Sequence, residues 1–462
     1  MGLYGALFLD FFSVICCAVL LYRYAKLTAL HPASTYLLFH VLVVTSRAYY
    51  VLAGSPTLFT RWGPGVIPLS DAEIAWAVNL ADLALLSMTA AWIKVAGNER
   101  RVSAVRTTIR PPDSSVAKLS PKVIRHVVAI AFPIGIAALI YFAYVPTVGV
   151  YGEGKIDLGE WNSSSWMMIA QSWAGLALLP LIYYYGFRRL YVVPLSIYLL
   201  VIAVQGFNRF RLVIPLIYLA LVWLSRTRRK WPPIWMIGAG FAMLIAVVPL
   251  KSIGRMVQSG APISDVQEAA LNSLDDVKEG RASDHLVLDE FACTVSLVDE
   301  SHRYFYGSLY YPLLTLPIPR QLWWDKPAVN AYQYELSNPS RPMALSGMVP
   351  TLHGESYANF GPLGIIIISF IAAYWLGNFY FAAMQSSYFS VYRFTYIVVA
   401  CNLVQVFRDG LISLVMFTVV NMMPLVAIAI LSYVSFRRQK SRHLLRPPFV
   451  PNRARAVSRS PV

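Results

Sequence analysis

Residues 356–392 read SYANFGPLGIIIISFIAAYWLGNFYFAAMQSSYFSVY, a run without one charged side chain. A helix crosses the ~30 Å hydrocarbon core of a bilayer with about 20 predominantly apolar residues, so this stretch is long enough to span. Further charge-free runs lie at 127–152, 161–187, 190–208, 231–250 and 410–436. Over all 462 residues 57% are hydrophobic and only 13% are charged, about half the charged share of soluble proteins. Mean hydropathy is +0.55. These values exclude a soluble enzyme, a disordered chain and a β-barrel. The expected fold is all-α: a polytopic bundle of about eleven transmembrane helices.

The eleven expected spans are 3–22, 33–53, 73–96, 124–146, 165–187, 189–206, 211–226, 233–250, 361–383, 393–408 and 411–435. The first is not expected to be a cleavable signal peptide, because it lacks a basic leader, carries Asp10 and precedes no small-residue cleavage site. With a cytoplasmic C-terminus, the inside segments hold 25 of the 39 Lys and Arg residues, 13 fall outside and Arg47 lies within a span. That asymmetry satisfies the positive-inside rule and places the N-terminus outside. It also accounts for the net charge of +16 without any nucleic-acid partner. The chain then divides into an N-terminal bundle of about eight helices (1–250), a large outer loop with short helices (251–360), C-terminal spans (361–436) and a basic, Pro-rich cytoplasmic tail (437–462) expected to be disordered and near anionic lipid. Cys16, Cys17 and Cys401 lie in apolar runs and Cys293 in a polar one, so neither a disulfide framework nor metal-ligand spacing is expected.

Two features break the regular pattern. The outer loop carries 13 acidic and 8 basic residues, and loops of such length are usually functional. Its first part is expected to be a helix, with Ser264 and Gln267 as a capping box and a stop near Gly280. The second feature is a pair of interrupted apolar stretches, broken at Arg209/Arg211 and at Arg408/Asp409. Each break borders a 14-residue charge-free piece, 212–225 or 394–407, which rises only about 21 Å. Both sets of arginines are therefore expected at a similar depth near the outer headgroups. Charge in a membrane is costly and marks function by default, and a guanidinium binds phosphate in a bidentate fork. The plain alternative is snorkelling, or an Arg408–Asp409 pair, which is awkward because adjacent helical residues do not face each other.

The loop holds the most specific text: Leu-Pro-Ile-Pro-Arg-Gln-Leu-Trp-Trp-Asp-Lys-Pro at 316–327 and Gly-Met-Val-Pro-Thr-Leu-His-Gly-Glu-Ser-Tyr-Ala-Asn-Phe-Gly-Pro-Leu-Gly at 347–364. Together with Gly206 to Arg211 and Phe407-Arg408-Asp409-Gly410, this resembles the bacterial O-antigen polymerase family, the Wzy-type repeat-unit polymerases. The N-terminal third contributes little to the resemblance. The resemblance implies an inner-membrane glycosyltransferase of GT-C type, without cofactor or metal, with its N-terminus periplasmic and its C-terminus cytoplasmic. It would transfer a growing glycan from undecaprenyl pyrophosphate onto a new lipid-linked repeat unit. Membrane lipids, a flippase and a chain-length regulator are the partners such a family implies.

In that chemistry Arg408, Arg209 and Arg211 would stabilise the leaving pyrophosphate, and His353, ahead of Glu355, would take the proton of the attacking hydroxyl. Arg320, Lys326, Trp323, Trp324 and Tyr357 would contact pyrophosphate or glycan. Each has a simpler reading. His353 could be an ordinary loop histidine, Glu355 a helix cap, and the cations headgroup contacts. Tyr304, Tyr306, Tyr310, Tyr311, Tyr332 and Tyr334 with the tryptophans could form an interfacial belt. Gly354, Asn359 and Gly361 are expected to shape the turn into the span. Rival readings are an O-antigen ligase, a monosaccharide GT-C transferase using Asp71 and Glu73, and a non-enzymatic flippase or transporter with interrupted spans. An N-cap role suits Asp71 and Glu73 better, since a span begins there.

Overall fold

A computed structural model describes residues 2–55, 57–59, 67–106, 117–144, 151–152, 155–156, 165–205, 210–258, 260–279, 286–315, 318, 322–323, 349 and 351–444. Their helices are α1 (Leu3–Leu20), α2 (Pro32–His40), α3 (Ser46–Leu52), α4 (Asp71–Arg106), α5 (Pro121–Tyr144), α6 (Ser165–Leu176), α7 (Leu179–Tyr185), α8 (Arg189–Gln205) and α9 (Phe210–Thr227). There follow α10 (Ile234–Gln258), α11 (Ile263–Lys278), α12 (Val287–Ser301), α13 (Tyr311–Thr315), α14 (Thr351–Gln385), α15 (Val391–Ala400), α16 (Leu403–Asp409), α17 (Leu411–Leu414) and α18 (Met423–Leu444). Two short antiparallel ladders, 58–59 with 67–68 and 151–152 with 155–156, are the strands among the described residues.

Among the described residues, six helical stretches are long and apolar enough to cross a membrane: Leu3–Ala25, Pro32–Leu52, Asp71–Arg101, Pro121–Phe142, Phe210–Thr227 and Thr351–Gln385. Shorter apolar helices cover Arg189–Ala203, Ile234–Met243 and Val391–Ala400. Several expected spans are thus broken. The span at 165–187 divides into α6 and α7 ahead of Pro180, and 393–408 divides into α15 and α16. Leu363, Ile367, Ile371 and Trp375, four residues apart along α14, are all more than half exposed. A contiguous apolar stripe of this kind on a chain of this composition fits a lipid-facing surface.

The bundle is organised on α4, which packs against α1, α2, α3, α12 and α14. Its buried positions include Ala75, Ala77, Ala81, Ala84 and Ala91. Small side chains let neighbouring helix axes approach closely where no hydrophobic effect drives association. The start of α4 is a capping box: the Ser70 backbone N–H donates to Glu73 Oε2 at 2.7 Å and the Glu73 N–H to Ser70 Oγ at 3.3 Å. Glu73 also accepts from Ser296 Oγ at 2.6 Å, which ties α12 to the helix start. The expected helix in the long loop is α11, but it starts at Ile263. Ser264 lies inside it and donates to Asp265 at 2.9 Å rather than closing a box with Gln267.

Helix α14 begins at Thr351, ten residues before the expected span at 361, and breaks at Phe360 and Gly361 (φ +64). The cause is written in the sequence. Pro362 has no N–H, so the Ala358 carbonyl loses its i+4 donor. The Phe305 N–H fills that place at 2.9 Å, and the Tyr306 N–H reaches the Asn359 carbonyl at 3.0 Å. A Cβ at Gly361 would also meet the Tyr304 hydroxyl at 3.2 Å. The segment after α12 is therefore stitched to the break in α14.

Candidate functional site

The first turns of α14 are buried on every side: His353, Glu355, Ser356, Tyr357, Ala358 and Asn359 are each 2% exposed or less. A helix can hide polar residues in this way only if each finds a partner. Asn359 Nδ2 donates to the Glu355 carbonyl at 2.9 Å, and its Oδ1 accepts the Gly307 N–H at 2.8 Å. Tyr357 donates to Asp299 Oδ1 at 2.6 Å. Beside Glu355 lies Tyr310, whose phenol burial and, next, the Glu355 carboxylate hold well above its ordinary pKa.

His353 and Glu355 face different neighbours. His353 Nε2 shares a 2.8 Å hydrogen bond with the Tyr36 hydroxyl of α2. The Tyr36 ring packs edge-on against Phe407 of α16, and the imidazole lies edge-on to Phe291 of α12. Glu355 instead reaches the break between α16 and α17. Its Oε2 accepts the Leu411 N–H at 2.7 Å. At Gly410 the backbone has φ +89, and a Cβ there would lie 2.2 Å from the Glu355 carboxylate. The carboxylate and the glycine Cα thus occupy adjoining space that no larger residue could share.

Arg408 is the penultimate residue of α16, the helix that Gly410 terminates. Its Nη1 lies 3.6 Å from Asp409 Oδ1, and its Cζ sits 5.1 Å from the Phe210 ring centroid. The Arg408–Asp409 contact, awkward on a continuous helix, is possible because α16 stops at Asp409. At 3.6 Å it is an ion pair rather than a good hydrogen bond. Phe210 is the first residue of α9, next to Arg211. Arg211 Nη1 donates to Gln171 Oε1 of α6. Arg211, Phe210, Tyr198, Phe417 and Asn421 line a groove of about 350 Å³, open solvent included. The two interrupted stretches that the sequence sets apart therefore meet, with Arg408, Phe210 and Arg211 in one neighbourhood and Glu355 against the same break.

Arg209, Arg320, Trp324, Lys326, Tyr332 and Tyr334 lie outside the described residues. Trp323 is half-buried. Tyr306 and Tyr311 are exposed, and Tyr310 is half-buried.

Several charged residues that sequence reasoning passed over are buried here. Arg47 of α3 chelates Asp289 of α12 through Nε–Oδ1 at 2.9 Å and Nη2–Oδ2 at 2.6 Å, and both residues are fully buried. Burial pushes the Asp289 carboxyl up, against the pull of the Arg47 guanidinium. Glu290 accepts the Val349 N–H at 2.6 Å. Asp10, His40 and Asp82 gather inside the bundle. Arg47, Asp10 and Asp82 all fall inside expected spans, so charge within an apolar run was the signal that could have found them.

Comparisons with protein-family models, with curated proteins and with solved structures find no match. The chain is described by its fold and composition: a helical, multi-pass membrane protein with a buried polar centre around the first turns of α14.

Proposed function

We propose that this protein is a membrane glycosyltransferase that polymerises polyprenyl-pyrophosphate-linked oligosaccharides at the outer face of the bacterial inner membrane. One observation carries the reading: the Glu355 carboxylate lies against the Gly410 break, two residues after Arg408, while Arg408 sits over Phe210 beside Arg211. A carboxylate and guanidinium groups in one neighbourhood are what this transfer needs. A hydroxyl of the acceptor sugar attacks the anomeric carbon of the donor glycan. The bond from that carbon to the pyrophosphate oxygen breaks, and the oxygen leaves with the electron pair. Glu355 takes the hydroxyl proton, and Arg408 and Arg211 stabilise the charge on the leaving group. Tyr198, Phe210 and Phe417 give the groove beside Arg211 an apolar lining. His353 is a positioning residue in this scheme, because its Nε2 is held by Tyr36. The orientation that this chemistry requires places α11 to α13 outside.

The helix breaks at Gly361 and Gly410 favour a second reading, a flippase or transporter built on discontinuous helices. The test is in vitro polymerisation of a purified lipid-linked repeat unit by wild type and by Arg408→Ala, Arg211→Ala and Glu355→Gln, with membrane protein matched. Each variant should lose about 10²-fold or more in rate. Normal polymer from all three would refute the assignment. Movement of intact repeat units across proteoliposomes without any longer product would favour the transporter.

A further inference from the structure

We infer that Asp10, His40 and Asp82 form an intramembrane site for one divalent first-row transition ion, of the zinc or manganese class. The three residues come from α1, α2 and α4 and lie 30 and 42 positions apart in sequence, so no local spacing announces the site. Their donor atoms lie within 4.8 Å of one another. His40 Nε2 is 2.7 Å from Asp10 Oδ1 and 3.6 Å from Asp82 Oδ1. Ligands about 2.0–2.2 Å from a tetrahedral ion are roughly 3.3 Å apart. One separation already fits that value, and the other needs to open by roughly half an ångström.

Unspent coordinating capacity points to a ligand. Asp10 and His40 are fully buried and Asp82 is 3% exposed. Asp10 Oδ2, His40 Nδ1 and both Asp82 oxygens have no hydrogen-bond partner. Buried polar atoms are nearly always satisfied, and two carboxylates in a low-dielectric interior repel each other unless a cation joins them. Among the described residues no Lys or Arg is paired with either carboxylate, and the counter-charge within reach of both is the His40 imidazole in its protonated form. Two aspartates and a neutral imidazole bring a charge of −2, which a divalent ion cancels. One nitrogen and carboxylate oxygens suit zinc, manganese or ferrous iron.

The backbone is also unusual at this point. A π-helical turn, Val41–Thr45, starts immediately after His40, and such turns gather at functional sites. At 1.5 Å per residue Asp82 lies about 16 Å along α4 from Asp71 and Asp10 about 10 Å along α1 from Leu3. Both positions fall within stretches long and apolar enough to cross a membrane. The site is separate from the Glu355 centre but joined to it: the Tyr36 ring is 5.9 Å from that of His40, and its hydroxyl holds His353. An ion bound here would fix α1, α2 and α4 together beneath the first turns of α14.

The test needs no activity. Full-length protein is extracted in detergent, freed of its purification tag, incubated with zinc or manganese and desalted. Metal is then counted by plasma mass spectrometry. Wild type should hold about one ion per chain, as should Asp71→Asn, which changes an acid outside the cluster. Asp82→Asn and Asp10→Asn should hold less than a tenth of that. Chelator should lower the wild-type unfolding midpoint by about 3 °C or more, and metal should restore it. Wild type that binds less than a tenth of an ion per chain and has a midpoint insensitive to chelator overturns the site. The cluster would then be held by shared protons alone.

Discussion

Removing the Asp289 carboxylate probes how helix α12 is fastened to the rest of the bundle. Arg47 makes two hydrogen bonds to Asp289 and a third to Ser55 Oγ at 3.1 Å. Both ends of the ion pair are fully buried. Breaking a buried pair by deleting one partner costs about 3–5 kcal/mol, because the surviving charge keeps its desolvation penalty. Ser55 still holds one donor, so the lower figure applies to Asp289→Ala. At about 2 °C per kcal/mol, suited to a long chain, the unfolding midpoint in detergent falls by about 6 °C. Replacing both partners with apolar residues removes the penalty, so Arg47→Met/Asp289→Leu should regain most of that loss. Tryptophan-monitored unfolding gives the midpoints, and protease cleavage within 286–301 reports release of α12. Single variants within about 1 °C of wild type would refute the anchoring role. So would a double variant at which the two losses simply add, since residues that interact are not additive.

The composition and charge-free runs made the class of fold legible, because backbone in lipid must close its own hydrogen bonds and helices do so locally. The break in α14 was half legible. Gly361-Pro362 marked a turn, but the residues before it read as loop, while they form a buried helix whose orphaned carbonyls are taken by Phe305 and Tyr306. The meeting of the two arginine-bearing breaks followed only as a matter of equal depth. That Phe210 lies under Arg408 depends on how α9 and α16 pack, which periodicity does not encode. The same limit hid the buried ionic groups. Arg47 and Asp289 are separated by 242 positions, and a charge inside a span shows that a partner is needed without saying which. His353 and Glu355 stood two residues apart in one motif, yet the helix turns them toward different neighbours.

Further outcomes follow from the same contacts. Tyr36→Phe removes the hydroxyl that holds His353 and should cost about 1–3 kcal/mol of stability; an unchanged unfolding midpoint would count against that hydrogen bond. Arg211→Lys keeps charge but not the planar fork, so activity with lipid-linked substrate should fall well below wild type and rise above Arg211→Ala; equal rates for the two variants would remove the need for bidentate contact. Gly410→Ala should be the most damaging single change at the site. Its backbone, φ +89 and ψ −176, lies in a region reached almost only by glycine, at a cost of about 1–3 kcal/mol for any other residue. The added Cβ would in addition fall 2.2 Å from the Glu355 carboxylate, so Glu355 must leave the Leu411 N–H. The two costs separate by experiment. Glu355→Ala in the Gly410→Ala background relieves the collision but not the backbone strain, so that double variant should be more stable than Gly410→Ala and less stable than Glu355→Ala. A Gly410→Ala protein that unfolds at the wild-type midpoint would mean that Glu355 does not lie against this break, and the proton-accepting role proposed for it would lose its geometric basis.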